Sequence, residues 1–235
     1  MAEPDEAYRK NLEVLVSTRT EQLQQSMFEL EIAHDYILEA YSDALWLKDR
    51  VTAQHSKRVA VFSIALGQAM QLGGEEIRQA ARTGLLHDIG KLAIPDAMLT
   101  KPTPLTEEEK QIMERHCVWG YEIVRKIKLL SSVAELIRAH HEHWDGKGYP
   151  EGLKGEMIPK GARIIAVVNT FDSISSDQPY RAARSFEYAV REITEGSGTQ
   201  FDPQVVEAFL RVPQSTWRDI SNEIEEKNQG FKLIH

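Results

Sequence analysis

His140-His141-Glu142-His143-Trp144-Asp145-Gly146-Lys147-Gly148-Tyr149-Pro150 joins two adjacent imidazoles to a glycine-rich loop. Upstream, Ser132 followed three residues later by Glu135 predicts a capping-box start, and apolar residues at helical spacing carry that helix to His140. The imidazoles therefore close a helix. Gly146, Gly148, Gly152 and Gly155 predict a loop whose backbone can approach a ligand closely, while Trp144 and Tyr149 offer flat faces for a nucleobase. Read alone, the same residues fit equally well a helix end capped by two histidines and followed by an ordinary surface loop.

A second segment separates these readings. His87-Asp88-Ile89-Gly90-Lys91 follows an apolar helix and supplies a nitrogen beside a carboxylate able to bridge, the ligand types that suit iron, manganese, nickel or zinc. Together the two segments resemble the HD-GYP family, metal-dependent phosphohydrolases that open cyclic di-GMP. The likeness runs from about Asp49 to Phe209, roughly two thirds of the chain. It takes in Lys101-Pro102, Leu105-Thr106-Glu107-Glu108, His116, Ile158-Pro159, Ala162-Arg163-Ile164 and Phe171-Asp172 in the family's order.

The resemblance implies an all-α fold, and no run alternates in a way that predicts a sheet. It implies a centre of two divalent ions, one held by His55, His87, Asp88 and Asn169, the other by Asp88, His116, His140 and His141, with Asp88 bridging. Lys91 matches the family lysine near the scissile phosphate, where an ammonium counters developing charge. Lys147, Tyr149, Gln178 and Arg181 fall where the dinucleotide is positioned. The implied reaction is hydrolysis of cyclic di-GMP to linear diguanylate, GMP or both.

Three positions depart from the family pattern. Val51 stands where a glutamate one turn before His55 can serve a third metal, so the expectation is a dinuclear centre. Asn169 replaces an aspartate ligand, keeping a coordinating oxygen but no charge. Gln178 replaces an arginine and loses the charged fork suited to phosphate, which Arg181 partly restores. These losses define the competing reading, a decayed domain that binds a cyclic dinucleotide or a protein without hydrolysis.

Composition bounds the rest. A chain of 235 residues with 42% hydrophobic residues predicts one globular domain plus an extension. The net charge of −8 argues against non-specific DNA binding, and no apolar run reaches the length of a membrane span. With an acidic, polar start unlike a signal peptide, a cytoplasmic location is expected. The single Cys117 reads as a half-buried structural thiol in preference to a soft ligand.

From Val16 onward, Val16, Leu23, Leu30 and Ile37 share one heptad position and Thr20, Met27, His34 and Tyr41 the other. About four heptads predict a dimerising coiled coil, although Leu12, Leu15, Leu38 and Leu45 widen the stripe enough for a helix folded onto its own domain. In the family such a helix joins a receiver or sensor domain to the catalytic one. The expected division is a connector at 1–48, the HD-GYP domain at 49–212 and a helical extension at 213–235 whose role the sequence does not reveal.

Overall fold

The computed structural model describes residues 3–48, 50–101, 103–177 and 182–226. Among them are eleven α-helices and no strand; Ser197 and Phe201 form a single bridge. The helices are α1 (Glu3–Lys48), α2 (Arg50–Ala69), α3 (Gly74–Leu86), α4 (Asp96–Leu99), α5 (Glu107–Glu114) and α6 (His116–Val124). After them come α7 (Ser131–Ala139), α8 (Lys160–Ser175), α9 (Phe186–Glu195), α10 (Pro203–Arg211) and α11 (Gln214–Glu226). The all-α expectation holds. The residues fall into two units, one ending at Tyr41 and the other beginning at Ser42.

In the first unit, α1 leaves its heptad side chains in solvent. Val16, Leu23, Leu30 and Ile37 are each more than half exposed, as is Met27. His34 and Tyr41, expected on the same seam, have side chains outside the described residues.

The second unit is built around α2 and α8. Val59, Phe62 and Leu66 line one stripe of α2 at helical spacing and meet Ile164, Val167, Val168 and Phe171 of α8. Ala189 and Ile193 of α9, Val205 and Phe209 of α10, and Trp217 of α11 close the cluster. Phe62, Phe171 and Phe209 pack around Trp217 with ring centroids 5.0–5.5 Å from it. The segment beyond Pro213 thus supplies the largest fully buried side chain. A smaller cluster of Leu136, Ala139, Ile158 and Ala162 seats α7 on the start of α8. On the other side of α2, Gly84 of α3 lies so close to Ala60 that a Cβ would sit 2.7 Å from its backbone. That approach brings the end of α3 against the middle of α2.

The helix boundaries are set in different ways. Thr106 and Glu109 form a capping box, with both reciprocal bonds present. The one predicted at Ser132 and Glu135 does not form, because the tight turn Lys128–Leu130 runs straight into α7 and leaves no extended cap residue. Helix α5 ends at Glu114, and His116 opens α6. Helix α2 stops at Ala69, short of Gly73-Gly74. Gln71 turns into the left-handed region at φ 57°, and Leu72 N–H donates back to the Gly67 carbonyl at 3.0 Å.

Candidate metal centre

Four short elements bring the histidines together. His55 rides on α2, His87 and Asp88 follow α3, His116 opens α6, and His140 with His141 follows α7. The turn Ile89–Ala93 after Asp88 is pressed against α6 at Gly90, where a Cβ would collide with the His116 carbonyl. This contact sets Asp88 beside His116. His55, His87, His116 and His140 are all buried, and Asp88 is 7% exposed.

Three of the rings have their tautomers fixed by main-chain carbonyls, which can only accept. His87 Nδ1 donates to Gly84 O at 2.8 Å, His116 Nδ1 to Met113 O at 2.7 Å and His140 Nδ1 to Ile137 O at 2.6 Å. Each Nε2 is therefore a bare lone pair. His116 Nε2 and His140 Nε2 face each other at 3.3 Å, and His55 Nε2 faces His87 Nε2 at the same distance. Two lone pairs so close repel unless a cation lies between them. Two nitrogens bound to one ion at about 2.0–2.1 Å with near-tetrahedral angles stand roughly 3.3 Å apart, so the spacing fits a shared ion.

Asp88 spans the two pairs. Its Oδ2 lies 3.5 Å from His87 Nε2 and its Oδ1 3.6 Å from His116 Nε2, so each oxygen serves one side. Lys91 Nζ holds Oδ2 at 2.6 Å. Ligand atoms of His55, His87 and Asp88 form one group able to hold a metal, and those of His116, Cys117, His140 and His141 form another. These residues fit divalent metal binding in donor type and spacing.

Burial sets the electrostatics. It pushes the His87 imidazolium down to about 4, with Asp88 opposing, and lowers His116, His140 and His141 by the same desolvation. Burial alone would raise the Asp88 carboxyl; Lys91 and the surrounding imidazoles outweigh it and hold the group well below the usual carboxylate range. All these rings are neutral ligands at neutral pH. Their depressed values leave the unfolded chain binding more protons than the folded one between pH 6.5 and about 4. Metal-free protein should therefore hold its full stability above that window and lose it on acidification, with His87 alone contributing roughly 3 kcal/mol. Thermal unfolding in chelator across pH 4 to 7 checks this; a midpoint flat over that range would contradict neutral buried rings.

The remaining expected residues lie at varying distances from this cluster. Tyr149 stacks on His141, with centroids 4.9 Å apart and planes 24° apart, so one of its faces is already covered. Lys147 is 82% exposed and pairs with Asp145. Trp144 has Arg163 over its ring, and Arg163 is held by Asp202 at 2.6 Å. Asn169 sits on α8 one turn before Asp172, its Oδ1 accepting from Ser173 Oγ at 3.5 Å. Gln178 and Arg181 fall outside the described residues, as does the side chain of Val51. Cys117 is fully buried, not half-buried, because it follows His116 into the core, and its Sγ lies 3.5 Å from His116 Nε2.

Two supporting carboxylates were not singled out for these roles by the motifs. Glu142, 2% exposed, accepts from Glu151 N–H at 2.7 Å and Leu153 N–H at 2.9 Å, tying the glycine-rich loop to the His140-His141 corner. Asp172 accepts from both Arg58 and His55. The i, i+3 spacings His55 to Arg58 and Asn169 to Asp172 place each partner on a site-facing stripe, a signal available in the sequence.

A family model described as HD domain matches residues 39–205. The chain belongs to the HD domain family. Its relatives place this HD domain in the HD-GYP branch. It is 36% identical over 203 residues to a cyclic di-GMP phosphodiesterase of Thermotoga maritima, covering 81% of this chain and 55% of that one. It is 37% identical over 188 residues to the cyclic di-GMP phosphodiesterase response regulator RpfG of Xanthomonas campestris pv. campestris, covering 79% and 50%. This HD domain also shares its fold with the crystal structure of a cyclic GMP-AMP specific phosphodiesterase of Vibrio cholerae. There the TM-score is 0.56 at 24% identity, over 73% of this chain and 48% of that one. The chain thus spans about half the length of the curated relatives it matches. Among the described residues no helix is long and apolar enough to cross a membrane.

Proposed function

We propose that the chain is a metal-dependent phosphodiesterase that hydrolyses cyclic di-GMP. The reading is carried by the two facing pairs of imidazole nitrogens joined through one buried carboxylate. We assign His55, His87, Asp88 and Asn169 to one ion and Asp88, His116, His140 and His141 to the other. Bound divalent ions would supply Lewis acidity, acidifying water and offsetting phosphate charge.

The chain's own groups do the rest. Burial keeps the imidazoles of His87, His116, His140 and His141 neutral, and Asp88 brings an ionised carboxylate within reach of both sides. Lys91, a third exposed and anchored on Asp88, is placed to face a phosphate oxygen and counter charge as the P–O bond to the leaving 3′-oxygen breaks. Water adds its oxygen to phosphorus and its proton ends on that 3′-oxygen, giving linear diguanylate; a second hydrolysis gives GMP. Tyr149, Lys147, Gln178 and Arg181 are the proposed dinucleotide contacts.

The test is turnover of cyclic di-GMP by protein loaded with iron, manganese, nickel or zinc, beside the mixed cyclic GMP-AMP, for wild type and Asn169→Asp. Because Asn169 adds no charge, the aspartate variant should fill at about 10–100-fold lower metal concentration. Turnover of neither dinucleotide by either protein at saturating metal would leave the binding-only reading.

We also propose a homodimer through α1, whose exposed heptad residues match the face a second copy would cover. A receiver or sensor domain is the proposed source of input, in line with the response regulator among the relatives. The domain division at 1–48, 49–212 and 213–235 and the cytoplasmic location remain part of this proposal. Deleting residues 1–44 should convert a dimer to a folded monomer in light scattering. A deletion protein that stays dimeric would assign dimerisation elsewhere.

A further inference from the structure

Asp172 makes more contacts than holding two helices together requires. Its fully buried carboxylate receives four hydrogen bonds from three side chains. Oδ2 accepts from His55 Nδ1 at 2.6 Å and Arg58 Nη2 at 2.9 Å; Oδ1 accepts from Arg58 Nε at 2.5 Å and Ser176 Oγ at 3.3 Å. His55 and Arg58 lie one turn apart on α2, while Asp172 and Ser176 lie one turn apart on α8. The guanidinium fork fixes the plane of the carboxylate, and that plane fixes the ring of His55.

His55 is also unlike the other rings. His87, His116 and His140 each give Nδ1–H to a main-chain carbonyl, which is neutral. His55 alone among these four gives it to a carboxylate. We propose that Asp172, locked by Arg58, is a positioning residue that holds His55 in the Nδ1–H tautomer, with its Nε2 lone pair aimed at His87 Nε2 and available to a divalent ion. The proposal rests on the metal reading above. A carboxylate behind an imidazole fixes its orientation and strengthens it as a donor, an effect of value on the side of the centre where Asn169 brings no charge. Arg58 neutralises Asp172 overall, so the contribution is orientation and polarisation, not added negative charge.

A purely structural role would make Arg58 and Asp172 a staple between α2 and α8, indifferent to the His55 tautomer and felt equally by both halves of the centre. The two roles separate in cobalt(II) titrations of the metal-free full chain. In Asp172→Asn one of the two oxygens that receive Arg58 becomes an NH₂, so the guanidinium fork no longer locks the side chain and the charge behind His55 Nδ1 is lost. One of the two cobalt-binding steps should weaken by about 10–100-fold while the other holds, the scale known for partners behind metal ligands. The step lost should be the one that His55→Gln removes, and Asp172→Asn should change nothing further in a His55→Gln background. Equal weakening of both steps, or none, overturns the proposal.

A second measurement does not depend on any Asp172 variant folding. Long-range ¹H–¹⁵N correlation of histidine-labelled, metal-free wild type, with His55 assigned by its loss in His55→Gln, should show the proton on Nδ1. A proton on Nε2 overturns the proposal whatever the titrations give. Wild type that binds no cobalt overturns the metal reading, and this inference falls with it.

Discussion

Asp88→Asn is expected to empty both halves of the metal centre and to cut phosphodiester hydrolysis by roughly 1000-fold, equivalent to about 4 kcal/mol of lost transition-state stabilisation. The substitution keeps the volume of a buried side chain, so the fold should survive. It removes the one carboxylate whose two oxygens lie 3.5 and 3.6 Å from histidine nitrogens on opposite sides. An amide nitrogen has no lone pair to give a metal, and its N–H would instead donate to one of the bare Nε2 atoms. Lys91 would lose its 2.6 Å partner at the same time. Metal analysis after dialysis and hydrolysis of cyclic di-GMP at fixed metal check the prediction together. Wild-type metal content in Asp88→Asn would show that the bridge is not a ligand.

The second large effect is expected far from the centre. Trp217→Ala should destabilise the folded unit by about 3–5 kcal/mol, the range for emptying a buried aromatic site. The indole is 1% exposed and touches Phe62, Phe171 and Phe209. At about 2–4 °C per kcal/mol for a unit of this size, the unfolding midpoint should drop by roughly 6–20 °C. Function should follow, because Phe171 is the neighbour of Asp172 and a loosened Phe171 frees the carboxylate that orients His55. A midpoint shifted by less than a few degrees would mean that α11 is only appended to the core.

The clustered histidines and Asp88 were legible because their chemistry is written as local motifs. His87-Asp88 and His140-His141 each need only a helix end to present adjacent donors, and helix ends are read from apolar spacing. What joins the motifs was not legible. The Nε2 to Nε2 distances depend on Gly84 pressing α3 onto α2 and on Gly90 pressing its turn onto α6, contacts between residues distant in sequence. The pairing of Asp172 with His55 crosses 117 positions for the same reason. Helix boundaries failed where a tight turn replaced side-chain capping, as at Lys128–Leu130 before α7. The core role of Trp217 was not legible because α11 is rich in charged and polar residues, with Trp217 and Ile220 the residues that pack on the core, and the rings Trp217 touches come from three other helices.

Anomalous scattering from crystals of manganese-loaded wild type tests the metal centre most directly. Two ions per chain are expected, one touching His55, His87 and Asp88, the other Asp88, His116, His140 and His141. No ion between the facing nitrogens, or a third well-occupied ion beside them, would contradict a dinuclear centre bridged by Asp88.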